Sequence, residues 1–145
     1  MPTTSQFSCV ITPTNPVVPI GLEVWLDGDK IFDQDHVSKA EIFRKDFSDQ
    51  DGEHVLQFVL KNKLPEHTII DNNGEIFDDA RIVINDILFE EINVTHVVNS
   101  LAKYQHDFNG NGPVIQDEFY GDIGCNGTVT LKFSTPIYLW LLENM

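Results

Sequence analysis

Short runs in which apolar and polar residues alternate are the feature that most constrains this chain. In GLEVWL (21–26), Leu22, Val24 and Leu26 fall on one face, and HVLQFVLK (54–61) repeats the alternation. Successive side chains of a β-strand point to opposite faces, so this period of two predicts strands with one buried face. Five further runs are rich in Val, Ile, Phe and Leu: FSCVI (7–11), KIFD (30–33), AEIFRKDF (40–47), ARIVINDILFEEINV (80–94) and TVTLKF (128–133).

The turns between these runs favour two packed sheets. Gly, Asn and Asp separate the runs, and the Asp-Gly pair within DGDK (27–30) is a strong hairpin signal. About seven short strands joined in this way predict an all-β fold, a single antiparallel, jelly-roll-like β-sandwich. A chain of 145 residues can bury a core of its own, so residues 1–145 are expected to form one domain.

The charge balance excludes several classes of partner. The chain has 9 Lys and Arg against 23 Asp and Glu, a formal net charge of −14. Such a field repels phosphate backbones and anionic membranes, so we expect no nucleic-acid partner. No apolar run approaches the roughly 20 residues that span a bilayer, and we expect no membrane insertion. The first residues lack the basic start and apolar segment of a signal peptide.

The predicted hairpin at 27–30 places two aromatic residues on an outer face. Ile31 would join the face of Val24 and Leu26, while Trp25 and Phe32 would share the opposite one. Two large aromatic side chains facing water need a covering loop, a partner or a ligand, and the sequence leaves all three open.

The C-terminal segment STPIYLWLLENM (134–145) departs from the strand pattern. Thr135 is predicted to cap a helix, and Pro136 is favoured at the first helical position. The residues from Ile137 to Leu142 are apolar all round, so this short segment cannot face water on every side. It either closes the sandwich or docks into a neighbouring subunit.

No catalytic motif is present in the sequence, and we expect no enzyme activity. The five histidines are scattered, without H-E-x-x-H or the Cys/His spacing of a zinc site. There is no G-x-S-x-G, phosphate loop or dinucleotide fingerprint. The two cysteines, Cys9 and Cys125, lie outside any C-x-x-C motif and are either buried thiols or one long-range bridge.

One stretch, DFNGNGPVIQDE (107–118), matches the calcium-loop pattern of an EF-hand. Its fixed positions are Asp107, Asn109, Asn111, Gly112 and Glu118. The following segment FYGDIGCNG has three glycines in nine residues and cannot form the exiting helix. We therefore expect no required cofactor. Three alternatives stay open. The loop is a plain turn, or it binds a calcium ion through Asp107, Asn109, Asn111 and Glu118, or the acidic stretch 71–79 binds a calcium ion.

The middle of the chain resembles small carbohydrate-binding modules with a jelly-roll fold, including calcium-dependent xylan binders. The residues that carry the resemblance are GLEVWLDGDKIFD (21–33), GEHVLQFVLKNK (52–63) and DDARIVINDILFEEI (78–92). Those modules have, in order, a V-x-V-D-G hairpin, a G-x-H-x-L-x-F strand and a D-x-x-x-x-I-x-x-I strand. This chain follows the same order, with V-x-L-D-G (24–28) in the hairpin. The chain departs from that pattern at Lys61-Asn62-Lys63, where such modules often carry Asn-Asp.

Nearly the whole chain is similar to short acidic proteins of tailed phages of marine bacteria, most plainly through NGTVTLKFSTPIYLWLLENM (126–145). That similarity implies a phage-encoded structural or accessory protein. The chain would then be located in the virion, and otherwise in the cytoplasm.

Two hypotheses follow. The first is a non-catalytic docking module, a capsid decoration or tail-associated subunit that binds other virion proteins or further copies of itself in an oligomer or multi-copy assembly. Its interface residues would be Ile137, Tyr138, Trp140, Leu141, Trp25 and Phe32. The second is a calcium-assisted carbohydrate-binding module, with Trp25, Tyr104 and Tyr120 as candidate sugar-stacking residues.

Overall fold

The computed structural model describes residues 4–145, with the backbone alone at residues 77 and 78. The strands are β1 (Thr4–Pro13), β2 (Gly21–Leu26), β3 (Asp29–Gln34), β4 (Glu41–Ser48), β5 (Gly52–Lys61), β6 (Thr68–Ile70), β7 (Ile76–Asp79), β8 (Ile82–Phe89), β9 (Ile92–Asn93), β10 (Lys103–His106), β11 (Ile115–Glu118), β12 (Asp122–Ile123) and β13 (Gly127–Thr135). The helices are α1 (Thr95–Leu101) and α2 (Ile137–Asn144), with a 3₁₀ turn at Pro65–His67. No helix within 4–145 has the length and apolar character to cross a membrane.

Two antiparallel sheets form the sandwich, and the predicted all-β class is confirmed. One sheet has the strand order β12-β8-β1-β4, with β9 paired to β8. The other has the order β11-β10-β13-β5-β2-β3 and is called the six-stranded sheet below. A separate two-stranded hairpin, β6-β7, projects from the chain between β5 and β8.

Phenylalanine side chains from both sheets fill the space between them. The ring of Phe7 in β1 lies 5.4 Å from Phe89 and 6.3 Å from Phe58, measured between ring centroids. Phe133 from the six-stranded sheet lies 5.0 Å from Phe89 and 5.4 Å from Phe47. Tilted and edge-to-face pairs of this kind add about 0.5–1.5 kcal/mol each beyond the apolar area they bury. The aromatic cluster therefore joins the two sheets into one core.

The hairpin of β2 and β3 forms as predicted, but its aromatic residues do not share a face. Asp27 and Gly28 make the two-residue turn with positive φ angles of 52° and 85°. A bulge then shifts the register, so that Trp25 pairs with Lys30 while Val24 pairs with Phe32. Phe32 therefore faces the core and packs edge-on against a ring of β4. The prediction that Phe32 shares the outer face with Trp25 is wrong. The bulge adds one residue, so side chains beyond it point to the opposite face from the one that strict alternation predicts.

Helix α2 closes one end of the sandwich and keeps one side in water. Ile137, Trp140 and Leu141 are buried in the core, whereas Tyr138 remains 54% exposed. The indole of Trp140 packs edge-on against Phe89 and Phe133, with centroids 5.7 Å and 6.2 Å away. Three of the proposed interface residues thus contribute to the fold itself.

The start of α2 is held differently from the predicted cap. Thr135 is the last residue of β13, and its hydroxyl donates to the carbonyl of Gln50. The backbone N–H of Ile137 instead donates to Asp49 Oδ1 at 2.8 Å. The prediction that Thr135 caps the helix is wrong, because a carboxylate 88 residues away takes that role.

Both cysteines are free thiols. Cys9 is buried in β1, and Cys125 is half-buried after β12. Burial raises the pKa of Cys9 to about 12, which keeps this thiol protonated and unreactive at neutral pH. Of the two alternatives that the sequence left open, the structure has unbridged thiols.

We predict that Trp140→Ala destabilises the protein by about 3–5 kcal/mol, since it removes a buried indole from the aromatic cluster. Leu139→Ala is the matched control, because Leu139 lies on the same helix with its side chain 58% exposed. Urea unfolding followed by fluorescence and circular dichroism measures both. Equal losses in the two variants would contradict the assignment of Trp140 to the core.

Candidate functional site

The outer face of the six-stranded sheet carries a row of polar side chains. The antiparallel register aligns Trp25 with Gln57, Gln57 with Thr130, and Thr130 with Lys103. The neighbours of these residues along each strand, such as Val24 and Phe58, are buried between the sheets. Because side chains alternate along a strand, the row must point away from the core.

A groove crosses this face over β5, β13 and β10, and we call it the amide groove. Its volume is about 380 Å³. Its walls and floor are mainly amide and hydroxyl side chains, and the residues that line it are Gln57, Gln105, His106, Asp107, Val114, Asn126, Gly127, Thr128 and Thr130. Gln57 Nε2 lies 3.5 Å from Thr130 Oγ1, so much of the hydrogen-bonding capacity of this pair is available to a bound molecule.

The floor of the amide groove needs a glycine at position 127. A Cβ atom there would lie 2.3 Å from the carbonyl oxygen of Gln105 and 2.9 Å from the Cβ of His106. Both contacts are much shorter than van der Waals separation. Strands β10 and β13 can therefore approach at this point only because residue 127 has no side chain.

The EF-hand-like stretch forms the connection between β10 and β11 at one end of the groove. Asp107 Oδ1 accepts from the N–H of Gly110 at 2.9 Å, which is a local turn. Asn109 Oδ1 accepts from the N–H of Asn126 at 2.7 Å and fastens the loop to the sandwich. These two oxygens stabilise the chain's own backbone.

The hairpin register keeps Glu118 apart from the other three predicted calcium ligands. His106 pairs with Ile115, and Lys103 pairs with Glu118 at the other end of the ladder. Glu118 therefore lies three residues along β11 from the loop that begins at Asp107, about 10 Å at 3.3 Å per residue. The side chains of residues 77 and 78, in the acidic stretch 71–79, lie outside the described part of the chain. Among the side chains that the structure describes, no group of three or more His, Cys, Asp or Glu is arranged to hold a metal ion.

A buried lysine lies below the same end of the groove. The side chain of Lys63 is 0% exposed. Its Nζ donates to Asp79 Oδ1 at 2.6 Å, to the Ala80 carbonyl at 2.5 Å and to the Gly124 carbonyl at 2.7 Å. Asn126 holds the backbone of Lys63 from both sides, since its Oδ1 accepts from the Lys63 N–H and its Nδ2 donates to the Lys63 carbonyl, each at 2.9 Å.

A second lysine joins three carboxylates near Trp25. Lys61 Nζ contacts Glu23 Oε2 at 3.1 Å and Asp35 Oδ1 at 2.9 Å, and it also contacts Asp33. These carboxylates raise the pKa of Lys61 far above its usual value. A hydrogen bond from the Trp25 indole, together with one from Lys61, lowers the pKa of Glu23. Trp25 is thus fixed in orientation by a charged network.

The three candidate sugar-stacking residues fall in different environments. Trp25 is half-buried, and the Lys30 ammonium lies 5.9 Å from the centre of its ring. Tyr120 is 73% exposed just after β11. Tyr104 is only 8% exposed, and its hydroxyl bonds with the backbone of Cys125. The prediction of Tyr104 as a sugar platform is wrong, because even positions of β10 face the core.

One arrangement that the sequence did not indicate resembles a catalytic triad. His54 Nδ1 lies 2.7 Å from Asp27 Oδ2, and His54 Nε2 lies 3.1 Å from Thr135 Oγ1. Thr135 is buried, however, and its hydroxyl already donates to the Gln50 carbonyl. A nucleophile must reach a substrate and give its proton to the base, and this hydroxyl does neither. We assign these contacts to the closure of the sandwich.

Helix α2 presents an apolar surface to water on the side that faces away from the core. A cavity of about 420 Å³ lies there, lined by Ile92, Tyr138, Leu141, Leu142 and Met145. Leu142 is 79% exposed. Of the predicted interface residues, Tyr138 is the one most available to a partner.

Comparisons with known proteins bear on the fold. No protein-family model and no curated protein matches the chain, so the similarity to phage proteins has no support there. One solved structure does match, the selenomethionine form of vCBM60, described with two families of calcium-dependent carbohydrate-binding modules related by circular permutation. The TM-score is 0.54 over 87% of this chain and 88% of that one, at 8% sequence identity.

This chain shares the β-sandwich fold of vCBM60. At 8% identity the likeness extends to the fold alone. It confirms the jelly-roll fold that the middle of the sequence resembles.

Two clusters of oxygens in this chain hold lysine ammonium groups where a cation would bind. Calcium is held by six to eight oxygens at about 2.3–2.6 Å, most of them carboxylate and carbonyl oxygens. In this chain, the buried oxygens of that kind near residues 79–80 and 124 hold the Lys63 ammonium. The carboxylates near Trp25 hold Lys61. At these two clusters the oxygens are therefore already used by the chain's own lysines.

We predict that Gly127→Ala destabilises the protein by about 1–3 kcal/mol, because the new Cβ forces β10 and β13 apart. Gly52→Ala is the matched control. Gly52 belongs to the same β5–β13 ladder, and a Cβ there would meet one backbone oxygen at 3.8 Å. Thermal melts of both variants measure the difference, and an unchanged melting temperature for Gly127→Ala would contradict the close approach of the strands.

Proposed function

We propose that this protein is a non-catalytic carbohydrate-binding module that holds a neutral glycan in the amide groove. The observation that carries the proposal is the row of Gln57, Gln105, Thr128 and Thr130 across the outer face of the sheet. An amide side chain offers both donors and acceptors, and a sugar hydroxyl needs both. A concave surface with a few such groups is the usual form of a small-molecule site.

The aromatic residue at the edge of the groove supports this proposal. Trp25 is aligned with Gln57 on the neighbouring strand, which places it about 5 Å from that residue along the row. An indole presents a flat apolar surface to the C–H faces of a sugar ring while its N–H is bonded elsewhere. Here Glu23 Oε1 accepts from the indole N–H at 2.9 Å.

The charge of the protein favours an uncharged ligand. A net charge of −14 repels acidic polysaccharides as it repels nucleic acids. The groove lining contributes one carboxylate, Asp107, and its oxygen is used by the turn. Neutral plant-type or microbial polysaccharides are therefore the first class of ligand to test.

We predict that Gln57→Ala and Gln105→Ala each weaken glycan binding about 2- to 10-fold, the usual effect of one lost hydrogen bond. Affinity electrophoresis in gels that contain soluble xylan, mixed-linkage β-glucan or galactomannan measures retention. Gln50→Ala is the matched control, since Gln50 is exposed in the turn between β4 and β5 and lies outside the groove.

Each gel is run with calcium and with a chelator. Retention that persists in chelator and falls in the two groove variants supports the proposal. A folded protein that none of the polysaccharides retards would contradict it.

A second candidate function is docking through α2. The specific observation is the cluster of exposed apolar side chains at Tyr138, Leu139, Leu142 and Met145. Apolar surfaces of this kind mark interaction sites in many soluble proteins. The similarity of residues 126–145 to phage proteins suggests that such a docking module would be a subunit of a phage virion.

We predict that, if α2 mediates self-assembly, the protein forms a discrete oligomer that Leu142→Glu converts to a monomer with an unchanged melting temperature. Leu142 is exposed, so the substitution should not disturb the core. Sedimentation velocity measures the mass of both forms. Gln50→Glu serves as the control, because it adds the same negative charge at an exposed position away from α2. If the unaltered protein sediments as a monomer even at high concentration, self-association through α2 is contradicted.

A further inference from the structure

We propose that the amide groove continues into a second groove, in which Lys103 and Lys132 bind a carboxylate carried by the glycan. The ligand class is then a mainly neutral polysaccharide with scattered uronic acids or other carboxyl-bearing substituents. This inference rests on the proposed function, because it places the carboxylate beside a sugar chain that the amide groove holds.

The second groove lies on the same outer face of the six-stranded sheet, and we call it the lysine groove. Its volume is about 360 Å³. Gln116, Lys103, Thr130 and Lys132 line it from the neighbouring strands β11, β10 and β13, and residues of α1 and α2 complete the lining. Thr130 also lines the amide groove, so the two grooves meet at this residue. A ligand that crosses Thr130 reaches both.

The two lysines are diagonal neighbours on the sheet. Lys103 pairs with Thr130, and Lys132 lies two residues beyond Thr130 on β13. Diagonal neighbours of this kind are about 7–8 Å apart, within reach of long side chains. Each ammonium group has three donors on a flexible stem and no acceptor. Both side chains are exposed, so the pair can hold the two oxygens of one carboxylate from solution.

The chain itself does not neutralise these two lysines. Four other basic residues form ion pairs with carboxylates, namely Lys30, Lys61, Lys63 and Arg81. Among the residues that the structure describes, Lys103 and Lys132 have no carboxylate within salt-bridge distance. Like charges at neighbouring positions repel each other, and an anion bound between them offsets that repulsion.

The carboxylates in adjacent positions of the ladders have other surroundings. Glu118 is paired with Lys103 across β10 and β11, but its charge raises the pKa of the Tyr120 hydroxyl, which places this carboxylate beside Tyr120. Glu53 lines a neighbouring cavity together with Lys132, on the side away from the lysine groove. The described lining of the lysine groove contains no Asp or Glu. The groove is therefore locally positive in an acidic protein.

The net charge of the protein limits how acidic the ligand can be. A polymer with a carboxylate on every sugar meets the repulsion of a protein with net charge −14. An isolated carboxylate meets mainly the two ammonium groups, because charges farther away than roughly 8–10 Å are screened at physiological salt. A neutral backbone with few carboxylates satisfies both conditions.

The test compares unmodified xylan, mixed-linkage β-glucan and galactomannan with lightly carboxymethylated forms of the same polymers. Isothermal titration calorimetry at low and high salt measures each affinity. We expect the carboxymethylated form of the polymer that the protein binds to bind about 3- to 10-fold more tightly at low salt, the effect of two exposed ion pairs. This gain should shrink at high salt, because exposed ion pairs are screened.

Three double variants locate the effect. The protein with Lys103→Gln and Lys132→Gln should bind both forms of the polymer equally, whereas Lys103→Arg with Lys132→Arg keeps both charges and should keep the gain. The control is Lys39→Gln with Lys45→Gln, which makes the same change in net charge at exposed positions outside both grooves. It should keep the gain. Thermal melts verify that each variant is folded, as expected for exposed positions.

The outcomes separate this inference from the proposed function. If an unmodified polymer binds and its carboxymethylated form binds no more tightly, the inference is overturned and glycan binding in the amide groove is not. The inference is also overturned if the glutamine variant keeps the gain, or if the Lys39 and Lys45 control loses it. Tighter binding of polygalacturonate than of the lightly substituted polymers overturns the ligand class.

Two further outcomes concern the neutral polymers. If only the carboxymethylated forms bind, and the glutamine variant abolishes that binding, the proposed function is contradicted and the lysine groove is supported. If neither form of any polymer binds, both proposals are contradicted.

Discussion

The antiparallel pairing of β5 with β13 is the constraint on which the rest of this structure depends. The ladder runs from Gly52 opposite Thr135 to Leu60 opposite Gly127 without a register shift. It places Phe58 and Phe133 between the sheets and Gln57 and Thr130 on the outer face. A slip of one residue would exchange these two sets, exposing the phenylalanines and burying the amides. The core and the amide groove are therefore two sides of one register.

The same ladder explains why the site is made of small and medium-sized polar groups. Aromatic side chains that could have served as a sugar platform, such as Tyr104, are needed inside to fill the space between the sheets. The outer face then offers hydroxyls and amides, with Trp25 at its margin. A ligand would be held mainly by directed hydrogen bonds across three strands, and recognition would depend on the spacing of its hydroxyls.

The sequence predicts the strands and their buried faces well, because a period of two is a local property that needs no knowledge of the partner strand. It fails where one extra residue changes the count, as at the bulge that turns Phe32 inwards. It also fails where a side chain has a distant partner. Asp49 holds the start of α2, and Lys63 meets Gly124, and neither pairing has a signal in the neighbouring residues. The pattern at 107–118 misleads for a related reason, since the oxygens that match a calcium loop also suit a turn.

The clamp formed by Asn126 also has a consequence for the chemical ageing of the protein. Asn126 precedes Gly127, and in flexible chains such an Asn-Gly pair deamidates readily, because the glycine nitrogen can attack the side-chain carbonyl carbon. In this fold the amide is bonded to the Lys63 backbone through both its oxygen and its nitrogen. The cyclic intermediate cannot form while these bonds hold. The exposed pairs Asn73-Gly74 and Asn111-Gly112 have no such restraint on their side-chain amides among the described contacts. During long storage, the first new negative charge should therefore arise at one of these exposed pairs, and the buried crosslink should be altered last.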